Sequence, residues 1–217
     1  MDLIVPVKRL DAAKSRLRGA ADRGACDEAA HARLALALAH DTVAAVRAAR
    51  HVRRVLVVTS DPVVAAEFAA VGVEVASDGP LPGLNAAYAR GAALLRERDR
   101  CAPVAALQAD LPALRPSELD AAITGACAAF TDNARRAFCV DAGGTGTTLL
   151  LAAGGVPLDP RFGIGSALRH ARSGAVALPG AWPGLRRDVD TSEDLRTAVD
   201  LGLGEHTRAV LAPCPRA

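Results

Sequence analysis

The chain has 217 residues and is 51% hydrophobic but only 3% aromatic, so it can bury a sizeable core, built mainly from Ala, Leu and Val. Lys and Arg number 26 against 24 Asp and Glu, and no basic stripe is interleaved with aromatics, which argues against a nucleic-acid binder. The 5 cysteines are widely spaced with no CxxC pair, and the odd count speaks against a disulfide framework and for a reducing cytoplasm.

The first residues, DLIVPVK, turn charged too quickly for a signal peptide or membrane span. Leu3–Val7 is apolar and β-branched, the first predicted strand. It stops in VKRLDAAKSRLRG, where Lys8, Arg9, Lys14, Arg16 and Arg18 face a single acid, Asp11. A basic loop after a first strand suits an anion clamp, though a solvated basic face would look the same. Cys26–Arg50 reads as a helix, with Leu34, Leu38, Val43 and Val46 spaced to face a sheet. Val52–Thr59 is the second strand. Asp61-Pro62 starts a helix that ends at Gly72, and Val73–Ala76 is the third strand.

The loop SDGPLPGLN leads to a helix from about Asn85 to Arg98, where Asn85 is either an N-cap or an amide aimed at a ligand. Val104–Leu107 is the fourth strand, apolar enough to lie in the middle of a parallel sheet. It runs into Asp110, which is either a turn residue or cap, or a carboxylate at the edge where open α/β sheets bind ligands. Pro116–Phe130 is a helix with Ser117 as its expected cap. Ala137–Val140 and Leu149–Ala152 are strands on either side of DAGGTGTT. The loop DPRFGIGS then opens a helix, Ala167–Arg172, with Ser166 at its N-cap. Ala175–Leu178 is short and apolar, and Leu185–Val189 reads as a last strand that ends in Asp188-Val189-Asp190. Ser192 begins a final helix through Leu201, with acids in its first turn that suit the helix dipole. The tail from Gly204 shows only amphipathic hints. Alternation of strand and helix predicts a single three-layer α/β domain with a mostly parallel sheet.

Four features converge at one edge of such a sheet: the basic loop, Asp110, the two glycine-bearing loops and the Asp188/Asp190 pair. Cations and backbone N–H groups hold phosphates; carboxylates do so only through a divalent metal. The combination reads as metal-assisted phosphoryl or nucleotidyl transfer. Gly143, Gly144 and Gly146 allow close backbone approach to an anion, although a plain β-hairpin turn is the competing reading. Gly163–Ser166 offers an anion site at a helix start, or only an ordinary capped helix. GxxxxGK[ST], GxGxxG after the first strand and GxSxG are all absent. No nucleophile–base pair stands out. An attacking phosphate needs none, because it is already anionic at pH 7. The 5 histidines show no ligand spacing, so no zinc site is expected.

IVPVKRLDAAKSRL, GLNAA, QADLPAL, GTGTT, FGIGS and DVDTSEDL, in this order from Leu3 to Leu201, resemble the guanylyltransferases of coenzyme F420 biosynthesis, called CofC in archaea and FbiD in actinobacteria. The resemblance implies a nucleotide-diphospho-sugar-transferase-like fold. It also implies transfer of GMP from GTP to phosphoenolpyruvate, 2-phospho-L-lactate or 3-phosphoglycerate, with release of pyrophosphate. The Ala/Arg-rich composition is similar to that of actinobacterial members, which points to phosphoenolpyruvate. Carried over residue by residue, Lys8, Lys14 and Arg16 would hold the triphosphate, and Gly83 and Asn85 the guanine or ribose. Asp110 would bind Mg²⁺ with Asp188 or Asp190, and on a strand only one of those two would face the metal. Thr148, Gly163 and Ser166 would grip the acceptor. A homodimer stays open, and the product would pass to the next enzyme of the F420 pathway. The competing readings are a molybdenum-cofactor-type nucleotidyltransferase, which usually carries glycines where VKRLDAAKSRL stands here, and a non-catalytic nucleotide-binding regulator.

Overall fold

A computed structural model of the chain describes residues 1–10 and 28–212. Lys14 and Arg16, both expected to hold phosphates, lie outside the described residues. The strands are β1 (Asp2–Pro6), β2 (Arg54–Val58), β3 (Glu74–Ala76), β4 (Val104–Leu107), β5 (Arg136–Val140), β6 (Thr147–Ala152) and β7 (Ala175–Ala177). The helices are α1 (Glu28–Ala48), α2 (Pro62–Ala70), α3 (Leu84–Arg98), α4 (Pro116–Thr131), α5 (Ser166–Arg172), α6 (Pro183–Arg186), α7 (Ser192–Leu201) and α8 (Glu205–Leu211).

Among the described residues the strands form one sheet in the order β3-β2-β1-β4-β6-β5-β7. β6 alone runs against the others, pairing antiparallel with both β4 and β5. Side chains alternate across the strands as the pleat requires. Leu3, Val5, Ala105, Leu107, Leu149 and Leu151 meet α1, α2 and α4 on one face. Ile4, Val104, Ala106 and Leu150 meet α3 and the loop before α5 on the other. The result is the expected helix–sheet–helix sandwich. α3 lies so close on β1 that a Cβ at Gly91 would come within 2.6 Å of the Ile4 side chain.

A third cluster departs from expectation. Leu34 and Leu38 of α1 do not face the sheet; they are buried with Ala113, Val189, Leu195 and Ala198, beneath α7. Leu185–Val189 is not a strand. Pro183 opens the single turn α6, and residues 187–190 then run outside any helix or strand. The tail is ordered further than its sequence suggests. α8 packs on α1, and the Asp41 carboxylate accepts the His206 and Thr207 amides at 2.9 and 2.8 Å. Three caps also move. α4 is capped at Arg115, not Ser117; α3 at Gly83, not Asn85; α5 at Gly165, not Ser166.

Candidate active site

The chain winds β1-β2-β3 outward to one side, then places β4 on the other flank of β1. The order of the sheet therefore reverses between β1 and β4, and open α/β sheets bind ligands at the carboxyl edge of such a switch point. The two strands are parallel and in register, Ile4 opposite Ala106. Lys8 leaves the end of β1 and Asp110 the end of β4. Lys8 is exposed and Asp110 half-buried.

Asp61 sets where the basic loop departs. Its carboxylate accepts the Val63 and Val64 amides at the start of α2 and, at 2.9 Å, the Leu10 amide. Burial pushes the Asp61 carboxyl up. The N–H groups of Leu10, Val64 and Val63 outweigh that and hold it below its ordinary value.

The turn that carries Asp110 is fixed from four directions. Thr42, fully buried on α1, accepts the Leu111 amide at 2.9 Å and lies 3.1 Å from the Ala109 carbonyl. Val189 donates its amide to the Asp110 carbonyl at 3.0 Å, and Gly204 donates to Pro112 at 2.8 Å. The turn closes on itself through Leu114 to Leu111. Asp188 and Asp190 flank buried Val189 and so reach the Asp110 turn together; Asp188 is half-buried and Asp190 exposed. Their segment is tied down at both ends. Glu118 accepts the Gly184 and Leu185 amides at 3.1 Å each, and Asp194 accepts the amides of Asp190 and Thr191 while pairing with Arg187 at 3.2 Å.

GTGTT is the turn of the β5–β6 hairpin, and its N–H groups are partly spent. Asp141 accepts the Thr145 and Gly146 amides at 3.0 and 2.8 Å. A Cβ on Gly146 would sit 2.2 Å from the Asp141 carboxylate, so only glycine allows this closure. Thr147 and Thr148 belong to the strand itself. Thr148 is fully buried, and its carbonyl accepts the Gln108 amide beside Asp110 at 2.9 Å.

The FGIGS loop is stitched to this hairpin and to α3. Ala167 donates to the Thr145 carbonyl at 3.1 Å. Thr147 Oγ1 meets His170 Nδ1 at 2.9 Å, and His170 Nε2 accepts the Arg161 amide at 2.9 Å. An Nε2 that accepts leaves the proton on Nδ1, so Thr147 is the acceptor of the pair. Burial pushes His170 down to about 4, which keeps the ring neutral in this role. The Arg169 guanidinium gathers the carbonyls of Arg161, Phe162 and Ile164, with its shortest contact 2.6 Å. Gly163 at φ 115° and Gly165 at φ 70° give the loop its path. The Ser166 amide is taken by the Gly163 carbonyl at 3.0 Å. Asn85, not a cap, forms a two-way clip: it accepts the Phe162 amide at 2.8 Å and donates to the Phe162 carbonyl at 3.1 Å. α3 starts at Gly83 without a side-chain cap, so its first N–H groups point to the carboxyl edge.

The structure thus brings Lys8, Asp110 and the Asp188–Asp190 stretch to the switch point. Thr148 lies at the start of β6, Gly163 on the FGIGS loop and Ser166 at the start of α5, while Gly83 and Asn85 lie at the start of α3. Sequence reasoning missed Thr42, Asp141, Arg169 and His170 and read Asp61 only as a helix start; Thr42 and Asp61 act on partners 69 and 51 residues away, whereas Asp141 and Arg169 hold loops close to them in the chain. Among the described residues no three His, Cys, Asp or Glu groups form a protein-only metal cage. The donors present still fit magnesium, which takes one or two carboxylates and completes its shell with water and phosphate oxygens.

No family model matches the chain. It is 54% identical over 205 residues to the phosphoenolpyruvate guanylyltransferase of Salinispora arenicola, covering 94% of this chain and 90% of that one. It is 53% identical to that of Geodermatophilus obscurus, covering 99% and 95%. It is 51% identical to that of Streptomyces coelicolor, covering 97% and 95%. Among solved structures, a nucleotidyl transferase from Methanothermobacter superposes with a TM-score of 0.61 at 18% identity, covering 93% of this chain and 97% of that one. A 4-diphosphocytidyl-2C-methyl-D-erythritol synthase superposes with a TM-score of 0.59 at 12% identity, covering 92% and 96%. A manganese complex of a Mycobacterium tuberculosis protein superposes with a TM-score of 0.54 at 18% identity, covering 92% and 97%. With a TM-score of 0.65 at 16% identity to a nucleotide-diphospho-sugar transferase structure from Desulfovibrio desulfuricans, covering 90% and 84%, these likenesses establish a nucleotide-diphospho-sugar-transferase-like fold.

Proposed function

The chain belongs to the phosphoenolpyruvate guanylyltransferase family, and from that premise we propose that it joins GMP from GTP to phosphoenolpyruvate, giving enolpyruvoyl-2-diphospho-5'-guanosine and pyrophosphate for coenzyme F420 biosynthesis. The observation that carries the reading is identity of about half over nearly the whole chain, spanning every loop at the carboxyl edge of the sheet. The acceptor's phosphate oxygen attacks the α-phosphorus of GTP in line, and the bond from that phosphorus to the bridging oxygen of pyrophosphate breaks. The attacking oxygen is already anionic, so positioning and charge neutralisation suffice and no general base is required.

In this reading Lys8, with Lys14 and Arg16, holds the triphosphate and offsets charge on the leaving pyrophosphate. The first turn of α3 at Gly83 lies against the nucleoside, and Asn85 clamps the loop that holds the acceptor. Thr148, Gly163 and Ser166 hold phosphoenolpyruvate. Asp110, with Asp188 or Asp190, would hold magnesium, which would neutralise phosphate charge at the reacting centre. The whole chain acts as one guanylyltransferase domain in the cytoplasm, alone or as a homodimer, and hands its product to the next pathway enzyme. Among the described residues no helix is long and apolar enough to cross a membrane.

The test is pyrophosphate release with GTP, Mg²⁺ and, separately, phosphoenolpyruvate, 2-phospho-L-lactate and 3-phosphoglycerate. Phosphoenolpyruvate should give the highest kcat/KM. Folded protein that releases pyrophosphate with none of the three overturns the reading, and preference for another acceptor corrects its substrate.

A further inference from the structure

Tyr88 is the chain's single tyrosine. It lies in the second turn of α3, just beyond Asn85, and is fully buried. Its ring stacks on Phe162 of the FGIGS loop, centroids 4.4 Å apart. It belongs to the apolar cluster that holds Ile4 and Ala106 on that face of the sheet. Yet its hydroxyl is buried without a hydrogen-bond partner. A buried donor left unmade is costly, and phenylalanine would fill the same space without that cost.

Side chains on a helix lean toward its N-terminus and the Tyr88 ring lies against Phe162, so the hydroxyl looks toward the carboxyl edge of the sheet. α3 returns from the carboxyl edge of the sheet, so its second turn lies beneath the switch point. Burial pushes the Tyr88 hydroxyl well up, and the Asp110 carboxylate adds to the rise. The phenol therefore stays protonated, a donor, within electrostatic reach of Asp110. The ring stands against the FGIGS loop, which holds the acceptor in this reading.

We propose that the Tyr88 hydroxyl is a binding donor for an anionic oxygen of the small acid acceptor, sealed under the floor of the site and satisfied only when that acid is bound. This rests on the guanylyltransferase reading. It predicts an unusual separation of effects, because the hydroxyl does nothing for the free protein.

The experiment is Tyr88→Phe, with wild-type turnover measured first. The ligand-free variant should melt at the wild-type temperature or above it, because the Phe162 stacking is kept and an unpaired polar atom is removed. The KM for phosphoenolpyruvate should rise roughly tenfold or more, as expected for a lost hydrogen bond to a charged group. The KM for GTP at saturating acceptor should stay within about twofold, and the rise in melting temperature caused by phosphoenolpyruvate should shrink. A lower melting temperature without ligand overturns the proposal, because the hydroxyl was then satisfied within the protein. So does an unchanged KM for phosphoenolpyruvate, or a shift confined to GTP. Lack of turnover by the wild-type protein strikes the guanylyltransferase reading itself.

Discussion

The carbonyl oxygen of Asp110 accepts the amide hydrogen of Val189 at 3.0 Å. Two acidic stretches far apart in sequence are joined through their backbones. Val189 is buried between α1 and α7, so Asp188 and Asp190 are held at the Asp110 turn by packing as well as by the hydrogen bond.

Asp110→Asn keeps the backbone contacts and removes the charge. It should lower kcat by at least about a hundredfold, the scale on which losing one preorganised charge partner is felt at a reacting centre. The melting temperature should change by no more than a few degrees. Asp188→Asn should raise the magnesium concentration needed for half-maximal rate. Near-wild-type rates for Asp110→Asn would make that carboxylate a turn residue and nothing more.

Thr42 is the other support of that turn. Thr42→Val keeps the shape and leaves the buried Leu111 amide without its acceptor, at a cost of about 1–3 kcal/mol. Because the turn carries Asp110, kcat should fall roughly tenfold as well, while both KM values move little. Thr42→Ser should recover most of the rate and stability. Equal loss in the serine variant would mean that the methyl group matters and the hydroxyl does not. Denaturant melts and steady-state rates on the three proteins decide it.

How much of this could be read beforehand depended on how local each cause was. β1 and β4 are short apolar runs whose neighbours on both faces are also apolar, and composition alone marks them. LRRDV misled because Leu185 and Val189 are both buried, although the turn opened by Pro183 and the chain after it carry them rather than a strand. The proline was the available signal. Asn85 sits where a cap would, but its partner, Phe162, lies 77 residues away. The α8 cap spans 165 residues, from Asp41 to His206. No window along the chain contains such pairs. The basic and acidic site residues were legible as chemical types, whereas the residues that aim them were not.

The clip between Asn85 and Phe162 separates two roles for that amide. If it holds the acceptor loop, Asn85→Asp, which sets a carboxylate against the Phe162 carbonyl, should raise the KM for phosphoenolpyruvate several-fold and the KM for GTP much less. The predicted loss of stability is about 1–2 kcal/mol. A rise confined to GTP would make Asn85 a nucleoside contact after all. Arg169→Lys should act in the same direction as the clip variant, because an ammonium cannot reproduce a planar fork shared among three carbonyls.

The last expectation concerns acid. Burial depresses His170 from its ordinary 6.5 to about 4 in the folded protein. Above about pH 6.5 neither folded nor unfolded chain binds this proton, and the group makes stability independent of pH. Between 6.5 and 4 only the unfolded chain takes it up, so stability falls as pH falls. Below about 4 both states carry it and the loss levels off. His40, also lowered by burial, adds a term of the same sign. Asp61, held below the ordinary carboxylate value, loses its contribution only at lower pH and does not overlap this window. The melting temperature should therefore be nearly flat from pH 8 to 7 and drop between 6.5 and 4.5. His170→Gln can still accept from Arg161 and donate to Thr147 but cannot titrate. It should start lower, having lost its edge contact with Phe162, and lose visibly less on acidification. Parallel curves for the two proteins would assign the acid sensitivity to other groups and leave His170 a neutral strut at every pH tested.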